Sequence, residues 1–164
     1  MSLELETQRL RLVAVTAEMA RAATRALEQL VGATLPREWA DGDVHDVLPA
    51  YARRLAADPT ELGYGPWLVI ERSRGVVVGS AGFMGRPDAD GTVTLGYETF
   101  APFRCRGYGF EAAHALVEWA LAQPGVRLVQ AECDHANIPS IRILEKLGMR
   151  RAGERDGALQ WTRP

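Results

Sequence analysis

Apolar and polar residues alternate along several short stretches of the chain, and this period of two predicts strands. The stretch RLRLVAV, residues 9–15, predicts a half-buried strand, and Thr16 after it is a suitable helix N-cap. The stretch WLVIERSRGVVVGSAGFMG, residues 67–85, contains two β-rich runs joined at Ser73-Arg74-Gly75, which predicts a hairpin. After a second turn at PDADG, the stretch TVTLGYETF, residues 92–100, predicts a third antiparallel strand.

Apolar residues at helical spacing predict four helices. The first extends from Thr16 to about Leu30. The second is expected to start not far before Pro49, because proline lacks the backbone N–H that a helix interior needs. The third follows a glycine-rich turn, and the fourth begins at Asn137 with Pro139 in its first turn.

The order of these elements indicates the fold class. The stretch VRLVQAEC, residues 126–133, predicts a strand between the last two helices, and residues 149–164 hold two short strand candidates around a turn near Asp156-Gly157. The order β-α-α-β-β-β-α-β-α-β-β combines a meander with a βαβ crossover. We therefore predict an α/β (α+β) fold with a mixed, mostly antiparallel, twisted sheet flanked by helices, and a single domain over residues 1–164.

Composition argues against several classes of partner. The chain has 164 residues, 47% of them hydrophobic, and a formal net charge of −2, which gives no electrostatic reason to expect nucleic acid as a partner. It lacks an apolar run of the roughly 18 residues that span a membrane and a signal-peptide pattern, so we expect no membrane partner and a cytoplasmic location. Cys105, Cys133 and the three histidines lack metal-ligand spacing, so we expect reduced thiols and no metal.

The turn FRCRGYGFEAA, residues 103–113, carries the strongest chemical signal and allows two interpretations. Gly107, Gly109 and Ala112 match the dinucleotide pattern G-x-G-x-x-A, with Glu132 at the end of the next strand as the ribose ligand. Against this, the glycines do not directly follow a strand, and the antiparallel strands before them do not suit a doubly wound fold. Alternatively, Arg104 and the free N–H groups of a helix N-terminus form a cradle for a pyrophosphate.

The turn resembles the acetyl-CoA signature Q/R-x-x-G-x-G/A of the GCN5-related N-acetyltransferase (GNAT) superfamily. The resemblance covers nearly the whole chain and points to the branch that acetylates ribosomal-protein N-termini. The matching segments are TQRLRL at residues 7–12, Gly96-Tyr97-Glu98, Glu111-Ala112, Asn137-x-x-Ser140 and EKLGM at residues 145–149. Several short motifs in the right order, each on its predicted element, are a far more specific signal than one.

The resemblance implies an N-acetyltransferase that uses acetyl-CoA as co-substrate and acts on a primary amine, either a protein N-terminal α-amine or a small molecule. It further implies that two neighbouring strands separate and that the pantetheine arm pairs with backbone there, where a free N–H would serve as the oxyanion donor. Tyr108 either stacks on the ligand or fills the turn. The predicted cofactor-binding residues are Phe100, Ala101, Arg104, Cys105, Arg106, Gly107, Tyr108, Gly109 and Asn137.

Acetyl transfer also needs a base for the amine proton and a proton for the departing thiolate. Glu98 is the first candidate for the base, unless it is simply a solvated strand residue. Glu132 is the second, unless it pairs structurally with Arg127 or another arginine. Many family members carry a tyrosine seven residues after the position of Asn137 as the acid, but this chain has Leu144 there. Ser140 is the candidate replacement, its alternative role being to satisfy the first turn of the helix.

The sequence indicates the acceptor substrate less clearly than it indicates the co-substrate. We expect the acceptor pocket to form from the two N-terminal helices and their loop, although a run of charge is usually a solvated surface. Because the usual tyrosine is missing, a non-catalytic acyl-CoA-binding sensor module is the alternative function. The sequence leaves open a homodimer and the length of the acyl chain. The loop residues in question are Leu35, Glu38, Trp39, Asp41, Asp43 and Asp46.

Overall fold

A single eight-stranded sheet forms the centre of the protein in the computed structural model, which describes residues 2–164. The strands are β1 (Glu4–Glu6), β2 (Leu10–Ala14), β3 (Pro66–Glu71), β4 (Val76–Phe83), β5 (Thr92–Thr99), β6 (Leu128–Asp134), β7 (Arg150–Arg155) and β8 (Ala158–Arg163). Their spatial order is β1-β2-β3-β4-β5-β6-β8-β7. The β5–β6 pair is parallel and the other neighbours are antiparallel, which confirms the predicted mixed sheet.

Helices cover both faces of the sheet at its centre, since β3 and β4 are buried along almost their whole length. The α-helices are α1 (Ala17–Arg21), α2 (Thr24–Val31), α3 (Asp43–Ala57), α4 (Tyr108–Leu121) and α5 (Ile138–Lys146). The edge strand β7 is exposed throughout. None of the helices in the described part of the chain is long and apolar enough to cross a membrane.

The parallel pair β5–β6 holds together over only part of its length. The two strands are paired from Thr92 opposite Leu128 to Leu95 opposite Ala131. Beyond that point β5 stays paired with β4, and β6 stays paired with β8. A wedge therefore opens between residues 96–99 of β5 and residues 132–134 of β6, as the family resemblance implied.

The N-terminal region departs from the prediction in two places. The single helix expected from Thr16 to Leu30 is divided into α1 and α2, because Ala22 is extended, with φ −75° and ψ 140°. Alanine is the best helix former, so local propensity gives no sign of this break and tertiary packing decides it. The short strand β1, which pairs with β2, was also not predicted.

Helix α3 begins earlier than Pro49 suggested. It starts at Asp43, and Pro49 lies inside it. Its first N–H, on Asp43, donates to the Glu98 carboxylate, and buried Val44 and Leu48 hold the first turns against the core. These tertiary contacts offset the loss of the helical hydrogen bond that Pro49 cannot make.

Candidate functional site

The turn before α4 leaves the helix N-terminus open. Gly107 is the N-cap residue with φ +82°, and no side chain among residues 2–164 caps the helix there. The first helical hydrogen bond runs from the Glu111 N–H to the Gly107 carbonyl, at 3.1 Å. The N–H groups of the first turn therefore point outward with the positive end of the helix dipole, an arrangement that binds anions.

The two glycines of the turn serve different purposes. Position 107 requires glycine because its backbone is left-handed, a conformation that residues with a side chain adopt only with strain. Gly109 is required by packing, because a Cβ there would lie 3.2 Å from Ile143 Cδ1 and 3.4 Å from Thr99 Oγ1. Glycine at this position thus allows α4 to approach both α5 and the end of β5.

Two predicted phosphate ligands, Arg104 and Arg106, flank this turn on the surface. Arg104 Nε donates to the Thr99 carbonyl at 3.0 Å, and Arg106 Nη2 donates to the Pro102 carbonyl at 3.3 Å. Cys105 between them has a positive φ of 62°. The arginine side chains lie against backbone carbonyls at and after the end of β5, beside the open helix end, and their role as phosphate ligands stays a prediction.

Arg9, which was not among the predicted site residues, fastens this turn to the sheet. Its Nη1 donates to the Arg106 carbonyl at 2.8 Å, and its Nε donates to Glu111 at 2.7 Å. Its guanidinium lies over the ring of Tyr108, 4.7 Å from the centroid. Tyr108 is buried under it, which fits a side chain that fills the turn, and its stacking on a ligand stays a prediction.

Glu111 completes this anchor. Thr7 Oγ1 donates to it at 2.6 Å. Burial alone would raise the pKa of Glu111, but the hydrogen bonds from Thr7 and Arg9 outweigh it and hold the pKa below its usual value. The carboxylate is thus charged at neutral pH and ties α4 to the start of β2.

A cavity of about 480 Å³ occupies the wedge between β5 and β6. Asn137 and Ser140 of α5 line it, and Asn137 Oδ1 accepts from the Ser140 N–H at 3.2 Å, which confirms Asn137 as the N-cap. The N–H of Phe100, beside the end of β5, donates to the Val78 carbonyl at 2.9 Å. Phe100 therefore does not supply the free N–H that was expected at this splay, because the sheet already uses that donor.

Tyr97 is the main site residue that sequence reasoning missed. Its hydroxyl lies 2.6 Å from Ser140 Oγ, at the wedge cavity. Burial raises the pKa of Tyr97; the hydrogen bond with Ser140 offsets part of this rise, and Cys133 adds to it. The phenol is therefore protonated at neutral pH and available as a proton donor. The motif Gly96-Tyr97-Glu98 was the available signal, but only Glu98 of this motif was predicted as a site residue.

Leu144, at the position of the usual family tyrosine, is fully buried in the core. We expect Leu144→Tyr to destabilise the fold by about 1–3 kcal/mol, because the larger ring overpacks a closed site. It should lower the thermal midpoint by roughly 2–4 °C for each kcal/mol, and it should not raise the rate of acetyl transfer. Thermal unfolding and a thiol-release assay measure the two effects.

Leu144→Met is the control for this change, since it conserves volume and should cost less than about 1.5 kcal/mol. A Leu144→Tyr variant that is both stable and faster than the wild type would contradict this prediction. It would mean that the side chain reaches the wedge cavity after all.

Glu98 lies on the other face of β5, at the N-terminus of α3. Its Oε2 accepts from the Asp43 N–H at 3.0 Å. Burial, followed by the nearby Asp43 carboxylate, raises the pKa of Glu98; the N–H groups of Asp43 and Val44 and the charge of Arg104 offset part of this rise. A carboxyl group with a raised pKa is a better proton acceptor, which suits a general base.

A second cavity, of about 380 Å³, begins at Glu98 and extends along α3. It shares Met84, Gly96 and Tyr97 with the wedge cavity, so both cavities border the same part of β5. Of the loop residues predicted to build the acceptor pocket, Asp43 lines this cavity, whereas Leu35 and Trp39 are buried in the core. The cavity walls come mainly from α3, β4 and β5, and which cavity takes the acceptor stays a prediction.

Glu132, the second candidate base, lines the wedge cavity but is paired. Its Oε1 accepts from Arg155 Nη2 at 2.9 Å. The predicted alternative, pairing with an arginine, is therefore present, with Arg155 in place of Arg127. Across residues 2–164, no group of three or more histidine, cysteine, aspartate or glutamate side chains is placed to hold a metal ion.

Comparison with known proteins gives one family. A family model described as an acetyltransferase (GNAT) domain matches residues 9–150. The uncharacterised N-acetyltransferase YjdG of Bacillus subtilis is 33% identical over 147 residues, which are 88% of this chain and 88% of that protein. These matches favour the acetyltransferase interpretation of the glycine turn over the dinucleotide interpretation.

Solved structures share the fold at low sequence identity. A ribosomal-protein-S5-alanine acetyltransferase from Vibrio fischeri has a TM-score of 0.68 at 13% identity, covering 98% of this chain and 96% of that one. The microcin C7 self-immunity acetyltransferase MccE, solved with acetyl-CoA and AMP, has a TM-score of 0.67 at 13% identity, covering 96% and 93%.

Proposed function

The chain belongs to the GNAT acetyltransferase family, and on this premise we propose that it transfers the acetyl group of acetyl-CoA to a primary amine by direct attack in a ternary complex. The amine belongs either to a protein N-terminus or to a small molecule. The observation that carries the proposal is that Tyr97 lines two cavities, one in the strand wedge and one beginning at Glu98.

The residues of the wedge fit acetyl-CoA as a substrate. The open N-terminus of α4, with Arg104 and Arg106 beside it, suits a pyrophosphate, because it presents backbone donors and positive charge. The wedge cavity lies between β5 and β6, where unpaired strand edges suit the amides of a pantetheine arm. Asn137, the N-cap residue of α5, is the residue whose side chain we propose to bind that arm.

In the proposed reaction, Glu98 accepts a proton from the amine as the nitrogen attacks the acetyl carbon. A C–N bond forms and the C–S bond breaks. The departing thiolate receives a proton from the hydroxyl pair of Ser140 and Tyr97. Glu132 remains the second candidate for the base, but its pairing with Arg155 makes it the weaker one.

Ligand-dependent thermal unfolding tests the first half of this proposal. Acetyl-CoA at 100 times its dissociation constant should stabilise the protein by about 2.7 kcal/mol, which raises the midpoint by roughly 5–10 °C for a chain of this size. NADPH should give no shift. A screen of primary amines, with thiol release as the signal, then tests transfer.

Two outcomes would overturn the proposal. A shift with NADPH alone would return the glycine turn to dinucleotide binding. A shift with acetyl-CoA but no thiol release with any amine would instead favour the non-catalytic sensor module.

A further inference from the structure

The cavity that begins at Glu98 has an acidic end. Asp43 and Glu98 both line it, and their carboxylates are close enough that the charge of Asp43 raises the pKa of Glu98. Asp43 is exposed, and the Glu98 carboxylate caps α3 through the Asp43 N–H. Two carboxylates therefore lie at the end of the cavity where the proposed base would meet the amine, and the charge of Arg104 offsets only part of their mutual repulsion.

The walls of this cavity are mainly apolar. Val44, Val47 and Tyr51 form a stripe on α3 at helical spacing, and Ala81 and Phe83 of β4 also line the cavity. Val47 is 48% exposed, which is unusual for a valine on an otherwise buried stripe, so it presents apolar surface to a ligand that enters. The walls thus favour a substrate with an apolar body.

The far end of the cavity offers no uncompensated cation. Arg54 lines it about 16 Å along the helix from Asp43, given a rise of roughly 1.5 Å per residue. The Arg54 Nε lies 3.6 Å from Glu61 Oε2. Because this pair is neutral overall, it does not compensate a carboxylate that a substrate would bring into the cavity.

We propose that this cavity selects primary amines that carry an apolar body and no carboxylate beside the amine. The inference rests on the proposed function, because it assumes that the acceptor amine reaches Glu98. A carboxylate on the carbon next to the amine would lie against Asp43 and Glu98, and like charges brought together at an interface are strongly unfavourable. Free amino acids are therefore rejected, whereas amines and α-amino amides are accepted.

Three acceptors of similar size test the charge rule: phenethylamine, phenylalaninamide and phenylalanine. With acetyl-CoA saturating, we expect kcat/KM for phenylalanine to be lower than for the other two by roughly tenfold or more. The amines differ in their own pKa, so a single comparison is not decisive. The decisive quantity is the kcat/KM for phenylalanine divided by the kcat/KM for phenylalaninamide, and how this ratio changes between variants.

Asp43→Asn should raise that ratio by roughly fivefold or more, since it removes one of the two charges facing the substrate carboxylate. Asp46→Asn is the matched control. It removes the same charge from the same first turn of α3, but Asp46 does not line the cavity, so the ratio should stay as in the wild type. Thermal unfolding of both variants checks that α3 remains folded.

The apolar wall is tested separately with phenethylamine and ethanolamine. The wild type should prefer phenethylamine, and Val47→Asp should reduce this preference by roughly tenfold, because it places a charge on the apolar stripe. Val47 is half exposed, so the variant should fold.

The outcomes separate this inference from the proposed function. If no amine is acetylated although acetyl-CoA binds, the proposed function fails. If amines are acetylated but phenylalanine is used as well as its amide, or Asp46→Asn changes the ratio as much as Asp43→Asn, the selectivity rule is wrong. A peptide amide beginning with phenylalanine shows the source of the amine: faster turnover of the peptide than of phenethylamine identifies a peptide N-terminus, whereas no turnover of phenethylamine overturns the rule that simple apolar amines are accepted.

Discussion

Glu98→Gln should lower kcat/KM for acetyl transfer by about 10²–10⁴-fold, the usual contribution of a general base, while acetyl-CoA still binds. Glutamine has the same shape, and its carbonyl oxygen can still accept from the Asp43 N–H, so the cap of α3 is kept and only proton acceptance is lost. Initial rates by thiol release and thermal shifts with acetyl-CoA measure the two effects.

The pH profile adds a second readout of the base. Because burial and Asp43 raise the pKa of Glu98, the wild-type rate should rise with pH through a limb that lies above the ordinary range of a glutamate. Glu98→Gln should remove that limb and leave only the titration of the amine.

Glu132→Gln is the matched control on the neighbouring strand, where the carboxylate pairs with Arg155. We expect it to change kcat/KM by much less than Glu98→Gln. If the Glu132 variant loses more activity than the Glu98 variant, the assignment of the base is reversed. If Glu98→Gln is as active as the wild type, the amine gives up its proton without this carboxylate.

The fold was predictable from sequence where local signals decide it. Period-two patterns and the turns between them predict β3, β4 and β5 as an antiparallel meander, and the Asn137 cap predicts the start of α5. The helix predictions were wrong where contacts with distant residues outweigh the local conformational preference of the chain. The break at Ala22 has no local marker, and α3 continues through Pro49 because Glu98, far away in the chain, caps its first turn.

The candidate site likewise has a part that was predictable from sequence and a part that depends on distant contacts. Glu98 and Ser140 were predicted from a motif resemblance, and the structure places each at one of the two cavities that border β5. The contacts that give them their chemistry join residues 55 and 43 positions apart, Glu98 to Asp43 and Ser140 to Tyr97. One sequence carries no signal for such pairs, because the sheet and two helices must form before they meet.

The hydroxyl pair of Tyr97 and Ser140 leads to the second prediction of large effect. Tyr97→Phe should lower kcat by about 10²-fold, near the lower end for acid–base assistance, because a thiolate is already a fair leaving group. The substitution keeps the ring and removes only the hydroxyl. Ser140→Ala should have a similar effect and preserve the helix cap, since Asn137 bonds the backbone N–H of Ser140.

The double variant distinguishes a shared proton path from two separate roles. If the hydroxyls act as one unit, Tyr97→Phe combined with Ser140→Ala should lose little more than either change alone, whereas independent effects would multiply. Tyr64→Phe is the control for loss of a partly buried phenol, because Tyr64 packs against Trp119 away from the wedge. An unchanged kcat in Tyr97→Phe, with acetyl-CoA binding intact, would mean that the thiolate leaves without a proton from this pair.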